Sequence, residues 1–318
     1  MSAENPASHG RVPLPAWPLA LLPIATFAWS RGLWAPDEPR YAQVAREAYE
    51  RGDWLVMHLA GGLYPDKPPL LYWLAGAMGS VSDWNVHAMR LVSLLATAAM
   101  AWCTAKLARA WLGELQARLA PWLLLGSVML VEIGGRLQLD PLLAALCLGA
   151  LTALALPAAD PRAAARRVWL AGLLTGLAIL TKGPVALLHV VLPLVLWRRF
   201  APLPGPRAGL GVRIGAMALT LAIPLTWAIA ACLREPELWG HLFYGQHLER
   251  AVTAKAHPGP PWYHLIHVIH LWLPWTPFLV VGLLAAWRGR KAQPGKAPPT
   301  SACAAWACGM QPYSWCFP

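Results

Sequence analysis

The chain has 318 residues, 57% of them hydrophobic and only 13% charged, with a formal net charge of +11. A soluble domain carries about a quarter charged residues, so this composition excludes an ordinary water-soluble domain and points to a membrane protein. The six cysteines form no CxxC pair and no disulfide framework: Cys103, Cys147 and Cys232 fall in apolar runs, and Cys303, Cys308 and Cys316 in the last sixteen residues.

Apolar runs predict an all-α, polytopic helical bundle of about eight spans, near 14–30, 86–108, 119–135, 139–157, 168–181, 184–197, 210–232 and 262–287. The first run lacks a small-residue cleavage site and reads as an anchor rather than a signal peptide. Residues 31–85 then make a loop far longer than a turn, and loops of that length commonly carry function. Within it, Asp37-Glu38-Pro39 opens a segment whose Tyr41, Val44, Ala45, Ala48 and Tyr49 share one face at i, i+3, i+4, i+7 and i+8. That pattern predicts an amphipathic helix on the membrane surface. Asp66-Lys67-Pro68-Pro69 opens a second, over Leu70–Val81, too short to span and read as interfacial or re-entrant. Gly172 and Gly176 form a GxxxG on the fifth span, most simply a helix-packing contact. Residues 233–262 make the other outward segment, and six of the ten histidines lie between His241 and His270. Their spacing matches no strong metal motif.

With the amino terminus in the cytoplasm, the inner face holds fifteen of the 26 basic and three of the 15 acidic residues. The positive-inside rule then accounts for the whole basic excess, and no nucleic-acid partner is needed.

Several residues admit a sharp and a bland reading. Asp37 and Glu38 are a helix cap, or a carboxylate beside the membrane acting as general base or cation ligand. Lys67 is an ordinary interfacial lysine, or a point charge for a lipid phosphate. Asp140 caps the fourth span with Pro141 at its first helical position, or is a functional acid at the edge of the hydrocarbon. Lys182-Gly183-Pro184 reads first as a tight outward turn.

The combination is more specific than its parts. The run Asp37-Glu38-Pro39-Arg40-Tyr41, then Gly52-Asp53-Trp54, Tyr64-Pro65-Asp66-Lys67-Pro68-Pro69 and Tyr72-Trp73, resembles the bacterial C-type glycosyltransferases of the aminoarabinose transferase and protein mannosyltransferase superfamily. Leu180-Thr181-Lys182-Gly183-Pro184, the His247-to-Arg250 segment and Pro260-Pro261-Trp262-Tyr263 follow in the same order, so the resemblance covers roughly residues 15–287.

The resemblance implies an inverting sugar transfer from a polyprenyl-phosphate-linked donor to a glycolipid or protein acceptor, at the periplasmic face of a bacterial inner membrane. It implies Asp37 as principal catalytic carboxylate, with Glu38 beside it and Asp140 as a second functional acid. Lys67 and Arg250 match groups that hold the donor phosphate. Tyr41 and Tyr64 match aromatics of the cavity, and Arg40, Lys182 and His247 are grouped with them as substrate-binding. No cofactor is implied outright; a divalent metal is the candidate, with Asp66 and His247 as its ligands. Membrane lipids are the remaining partners. Two departures stand out. Ala251 replaces the usual aromatic after Arg250, and the residues from about 291 onward do not continue the pattern. The expected division is therefore a membrane-embedded transferase domain over 1–290 and an aberrant tail over 291–318, the mark of a frameshifted or truncated product. The rival readings are an inactive lipid-binding remnant and a transporter, whose site would sit at the midplane on broken helices.

Overall fold

A computed structural model describes residues 16–200, 205–241 and 262–292. A 3-10 turn (Trp17–Ala20) leads into α1 (Leu21–Trp29), followed by α2 (Asp37–Arg51), α3 (Leu70–Ser80), α4 (Val86–Trp111), α5 (Glu114–Leu125), α6 (Val128–Ile133) and α7 (Leu139–Ala155). Then come α8 (Pro161–Lys182), α9 (Val185–Phe200), α10 (Leu210–Arg234), α11 (Glu237–Gly240), α12 (Tyr263–Leu271) and α13 (Thr276–Ala292). The fold is helical, as expected, with one addition: β1 (His58–Leu59) and β2 (Gly62–Leu63) pair as a minimal antiparallel hairpin. The expected tail lies outside the described residues from 293 onward.

Local chemistry explains the helix ends. Asn85 accepts the amide of His87 at 2.8 Å to start α4. Asp160 accepts the amide of Ala163 at 2.7 Å to start α8, with Pro161 at its first position. Gly52, at φ +65°, ends α2 in the left-handed region that a side chain resists.

Three helices, α4, α8 and α10, are long and apolar enough to cross a membrane. At 1.5 Å per residue they reach roughly 33–39 Å, against about 30 Å of hydrocarbon. Two expected spans are broken. The run 119–135 divides into α5 and α6 because Ser127 leaves the helix and caps α6 through the amide of Leu130. The run 262–287 divides into α12 and α13 around Pro274, which has no amide to continue a helix. The two breaks meet: the amide of Val128 donates to the carbonyl of Leu273 at 2.9 Å, and Gly126 packs against Trp275.

The bundle is centred on α7 and α8. α8 packs between α7 and α10, and α4 against α5 and α7. The GxxxG is the contact expected of it: Gly172 lies on the backbone of Ala216, and Gly176 on Thr220 and Ile223 of α10. The hydroxyl of Thr220 donates to the carbonyl of Gly172 at 3.0 Å across the same seam. The opposite face of α10 exposes Ile214, Met217, Leu221 and Leu225, an apolar stripe at helical spacing that suits lipid rather than water. This is a membrane protein.

The loop 52–64 docks on the end of α10, where Arg234 pairs with Asp53 at 3.3 Å and the indole of Trp227 donates to the carbonyl of Leu55 at 3.0 Å. The loop 52–64 and the described start of the segment after α10, through His241, thus share one end of the bundle. The α4–α5 and α7–α8 turns lie at the other end, since α4, α7, α8 and α10 run the length between them.

Candidate active site

The site grows from one buried ion pair. Glu38, in the first turn of α2, and Arg90, one turn into α4, are both fully enclosed. The Arg90 guanidinium grips the carboxylate through Nε at 3.0 Å and Nη2 at 2.9 Å. Its remaining donors reach the carbonyls of Ala28, Arg31 and Gly32. Glu38 also accepts the amides of Trp34 at 2.7 Å and Leu137 at 2.8 Å, and Nη1 of Arg31 at 3.2 Å. Burial pushes the Glu38 carboxyl upward, but the Arg90 hydrogen bond and the two amides outweigh it and hold it below its ordinary value. Glu38 is expected beside Asp37 as a catalytic carboxylate; instead both its oxygens are occupied and neither faces solvent. A carboxylate so enclosed has nothing to offer a substrate.

This pair joins the end of α1, the start of α2, α4 and the turn before α7. It therefore places Asp37, one residue before Glu38, and Asp140, three residues after Leu137. Asp37 is half-exposed and pairs with Arg40, one turn along α2. Asp140 pairs with Lys182, forty-two residues away at the end of α8. Burial first and the Asp37 charge second push the Tyr41 phenol well above its ordinary range. Tyr41, Tyr64 and Tyr72 form a buried aromatic wall, with Tyr72 6.0 Å from Tyr41 and 6.1 Å from Tyr64 between ring centres. Arg40 lies 5.6 Å from the Tyr41 ring, and Asp66 and Asp37 both bear on Tyr64.

Asp66 and Lys67 are half-buried in the irregular segment between β2 and α3. The hairpin before them is fixed by Glu47, missed at the sequence level. Its carboxylate accepts the amides of Ala60 at 2.7 Å and Gly61 at 3.1 Å, the two left-handed residues of the turn. Arg90 was missed too. Its signal was available, because an arginine inside an apolar run needs a partner. Arg136 covers the Trp34 ring at 4.0 Å and donates to Glu132 at 3.0 Å, also unforeseen.

His247 and Arg250 lie outside the described residues, so the expected phosphate and metal ligands of that segment have no structural account. Among the described residues no group of three or more His, Cys, Asp or Glu side chains converges.

The sequence pattern of the family described as dolichyl-phosphate-mannose-protein mannosyltransferase matches residues 66–230, just over half the chain. Among curated proteins, the chain is 33% identical to an undecaprenyl phosphate-alpha-4-amino-4-deoxy-L-arabinose arabinosyl transferase of Serratia proteamaculans, over 83% of this chain and 48% of the relative. It is 34% identical to the protein of that name from Yersinia enterocolitica, over 86% and 49%. Another such transferase, from Pseudomonas aeruginosa, is 34% identical over 87% and 52%. The chain spans about half the length of the curated relatives it matches. Among solved structures it superimposes on ArnT from Cupriavidus metallidurans bound to undecaprenyl phosphate, with a TM-score of 0.72 and 25% identity over 92% of this chain and 53% of that one. The apo form of that protein gives a TM-score of 0.68.

Proposed function

This chain belongs to the dolichyl-phosphate-mannose-protein mannosyltransferase family, and from that premise we propose that it transfers a sugar from a polyprenyl-phosphate donor to an acceptor at the outer face of a bacterial inner membrane. The observation that carries the reading is the Glu38–Arg90 junction, which holds Asp37, next to Glu38, and Asp140, three residues after Leu137 and paired with Lys182, at one end of the bundle. Acids and cations at the membrane boundary suit chemistry on a lipid phosphate; a transporter would hold such groups at mid-depth. The solved relative's title names undecaprenyl phosphate, and the curated relatives' names specify an aminoarabinose donor, which supports that lipid and that sugar class here.

In this mechanism the acceptor oxygen attacks the anomeric carbon from the side opposite the phosphate, the carbon–oxygen bond to phosphate breaks, and the anomeric configuration inverts. Lys67, and Arg250 in the second outward segment, hold the phosphate as charge develops on it. Asp37, oriented by Arg40, faces the acceptor. It takes the proton of a hydroxyl acceptor, whereas a phosphate acceptor of the lipid A type, already anionic, needs only to be positioned. Asp140, held by Lys182, is the second acid, and Tyr41 and Tyr64 wall the cavity. α2 and α3 lie along the outer membrane surface, the remaining helices complete about eight spans, and residues 1–290 form the membrane-embedded unit.

The test separates binding from transfer. Lys67→Ala is expected to weaken binding of undecaprenyl phosphate, while Asp37→Asn leaves it intact and abolishes transfer. An Asp37→Asn variant with unaltered transfer would sink the reading, since a helix cap would then account for the residue. Donor binding without transfer by the unaltered chain would leave lipid binding as its activity.

A further inference from the structure

The far end of the bundle holds a cavity of about 340 Å³ that the transferase reading does not use. Its volume falls in the range of small-ligand sites. Four arginines from four separate segments line it: Arg167 of α8, Arg198 of α9, Arg207 of the linker before α10, and Arg213 of α10. Among the described residues no acidic side chain lines it. The cavity belongs to neither Asp37 nor Asp140. Arg167 and Lys182 are fifteen residues apart on one helix, which places them about 22 Å apart along its axis.

The linker that closes the cavity is built for close approach. Gly205, at φ +91°, lies so near the Ala158 backbone that a Cβ would stand 2.9 Å from its carbonyl oxygen. Nη1 of Arg167 donates to the carbonyls of Leu156 and Pro157, which finishes α7 and fixes one wall. Among the described residues none of the four arginines joins an ion pair with a carboxylate. Arginines gathered by the positive-inside rule normally spread apart in water, because like charges repel; here the fold brings four to one opening.

Tryptophans mark the depth. Trp169, two residues beyond Arg167, packs on Gly215, and Trp197, next to Arg198, meets Trp111 edge-on at 4.8 Å. Indoles at this level are what the boundary between acyl chains and headgroups selects. We propose that the cavity binds the phosphate of an anionic phospholipid headgroup in the leaflet opposite the candidate active site. Guanidinium forks match phosphate oxygens in geometry and charge, and basic pockets between membrane helices are suited to such headgroups. The proposal stands apart from the transferase reading and does not depend on it.

The test uses the full chain, stripped of lipid in detergent and followed by native mass spectrometry. It is titrated with dioleoylphosphatidylglycerol, with dioleoylphosphatidylcholine, and with phosphatidylglycerol in competition with inorganic phosphate. Phosphatidylglycerol is expected to be retained in preference to phosphatidylcholine, and inorganic phosphate not to displace it. Arg207→Gln and Arg213→Gln should each weaken retention roughly five-fold, the worth of one arginine near an anionic surface. Arg109→Gln, at the same end but outside the cavity and paired with Glu114, should leave retention unchanged. Arg207→Gln, in the linker, decides the matter alone if Arg213→Gln fails to fold. Unchanged retention in that variant, or an equal loss in Arg109→Gln, overturns the proposal. Displacement by inorganic phosphate overturns it as well, and assigns the cavity to a soluble phosphate ligand.

Discussion

Glu38 and Arg90 stand fifty-two residues apart in the chain and meet with no solvent between or around them, two nitrogens of one against both oxygens of the other at 3.0 and 2.9 Å. Each is satisfied by the backbone as well, so the pair is a junction of four segments rather than an isolated bridge. Burial of a charge is tolerated only where partners replace water, and here every face of the carboxylate is met by a donor. The consequence for the site is positional: Asp37 is carried on one side of this junction and Asp140 on the other.

Glu38→Gln is expected to cost about 3–5 kcal/mol of stability near neutral pH, because Arg90 is left charged and buried without its partner. The pH dependence has a definite sign. The folded-state value of Glu38 lies below the ordinary 4.5, so its contribution is complete above 4.5 and is lost only as pH falls through the lowered value. The gap between unaltered chain and variant should therefore be constant from pH 7 to about 5 and close below 4.5. Thermal unfolding in detergent across that range checks it; a gap that widens in acid contradicts the assignment.

Lys182→Met should lower transfer on the order of a hundred-fold by leaving Asp140 without its cation, with donor binding less affected. Lys182→Arg restores the pair and should recover most of the rate. Equal losses in the two variants would mean that the length of the lysine, not its charge, is what matters. Turnover and donor affinity measured side by side distinguish these outcomes.

Gly172→Ala and Gly176→Ala should differ. A Cβ at 172 would stand 2.6 Å from the carbonyl oxygen of Ala216, a backbone atom fixed in α10. At 176 the nearest atom is Cδ1 of Ile223, at 2.9 Å, the end of a side chain that can rotate away. Overpacking of this kind costs roughly 1–3 kcal/mol, and the larger share falls on 172. Unfolding midpoints of the two variants give the order directly.

Orientation can be read from reporter fusions. Fusions at residue 60 should report the periplasm, and those at 112 and 163 the cytoplasm, following the basic residues around the latter two. A cytoplasmic signal at residue 60 would place Asp37 on the wrong side of the membrane for an outer-leaflet acceptor and remove the proposed reaction with it.

Glu47→Ala is expected to release the Ala60–Gly61 turn, at a cost of about 1–3 kcal/mol for two amides left without their acceptor. Since Tyr64 and Lys67 follow directly from the hairpin, affinity for undecaprenyl phosphate should fall with no change at the lysine itself. Hydrogen exchange at residues 58–64 reports the first effect, and a lipid-binding titration the second.

The sequence by itself determined the chain's class and most of its helical segments, because each rests on local order. Apolar period and length mark a helix for lipid, the acids before Pro39 mark the start of α2, and a GxxxG at 172–176 marks a close seam. Asp37 and Asp140 were legible as candidates because charged residues at the edge of apolar runs are costly without a purpose, and Lys182 only through the family resemblance. What tertiary structure alone decided is which charge meets which. Nothing in the order of residues says that Arg90 reaches Glu38, that Glu38 is sealed while its neighbour Asp37 is open, or that four arginines converge on one cavity. Adjacent residues on a helix point about 100° apart, so one turns into the bundle and the next away from it. Only packing against α4 and the turn before α7 decides which of two neighbouring carboxylates is buried.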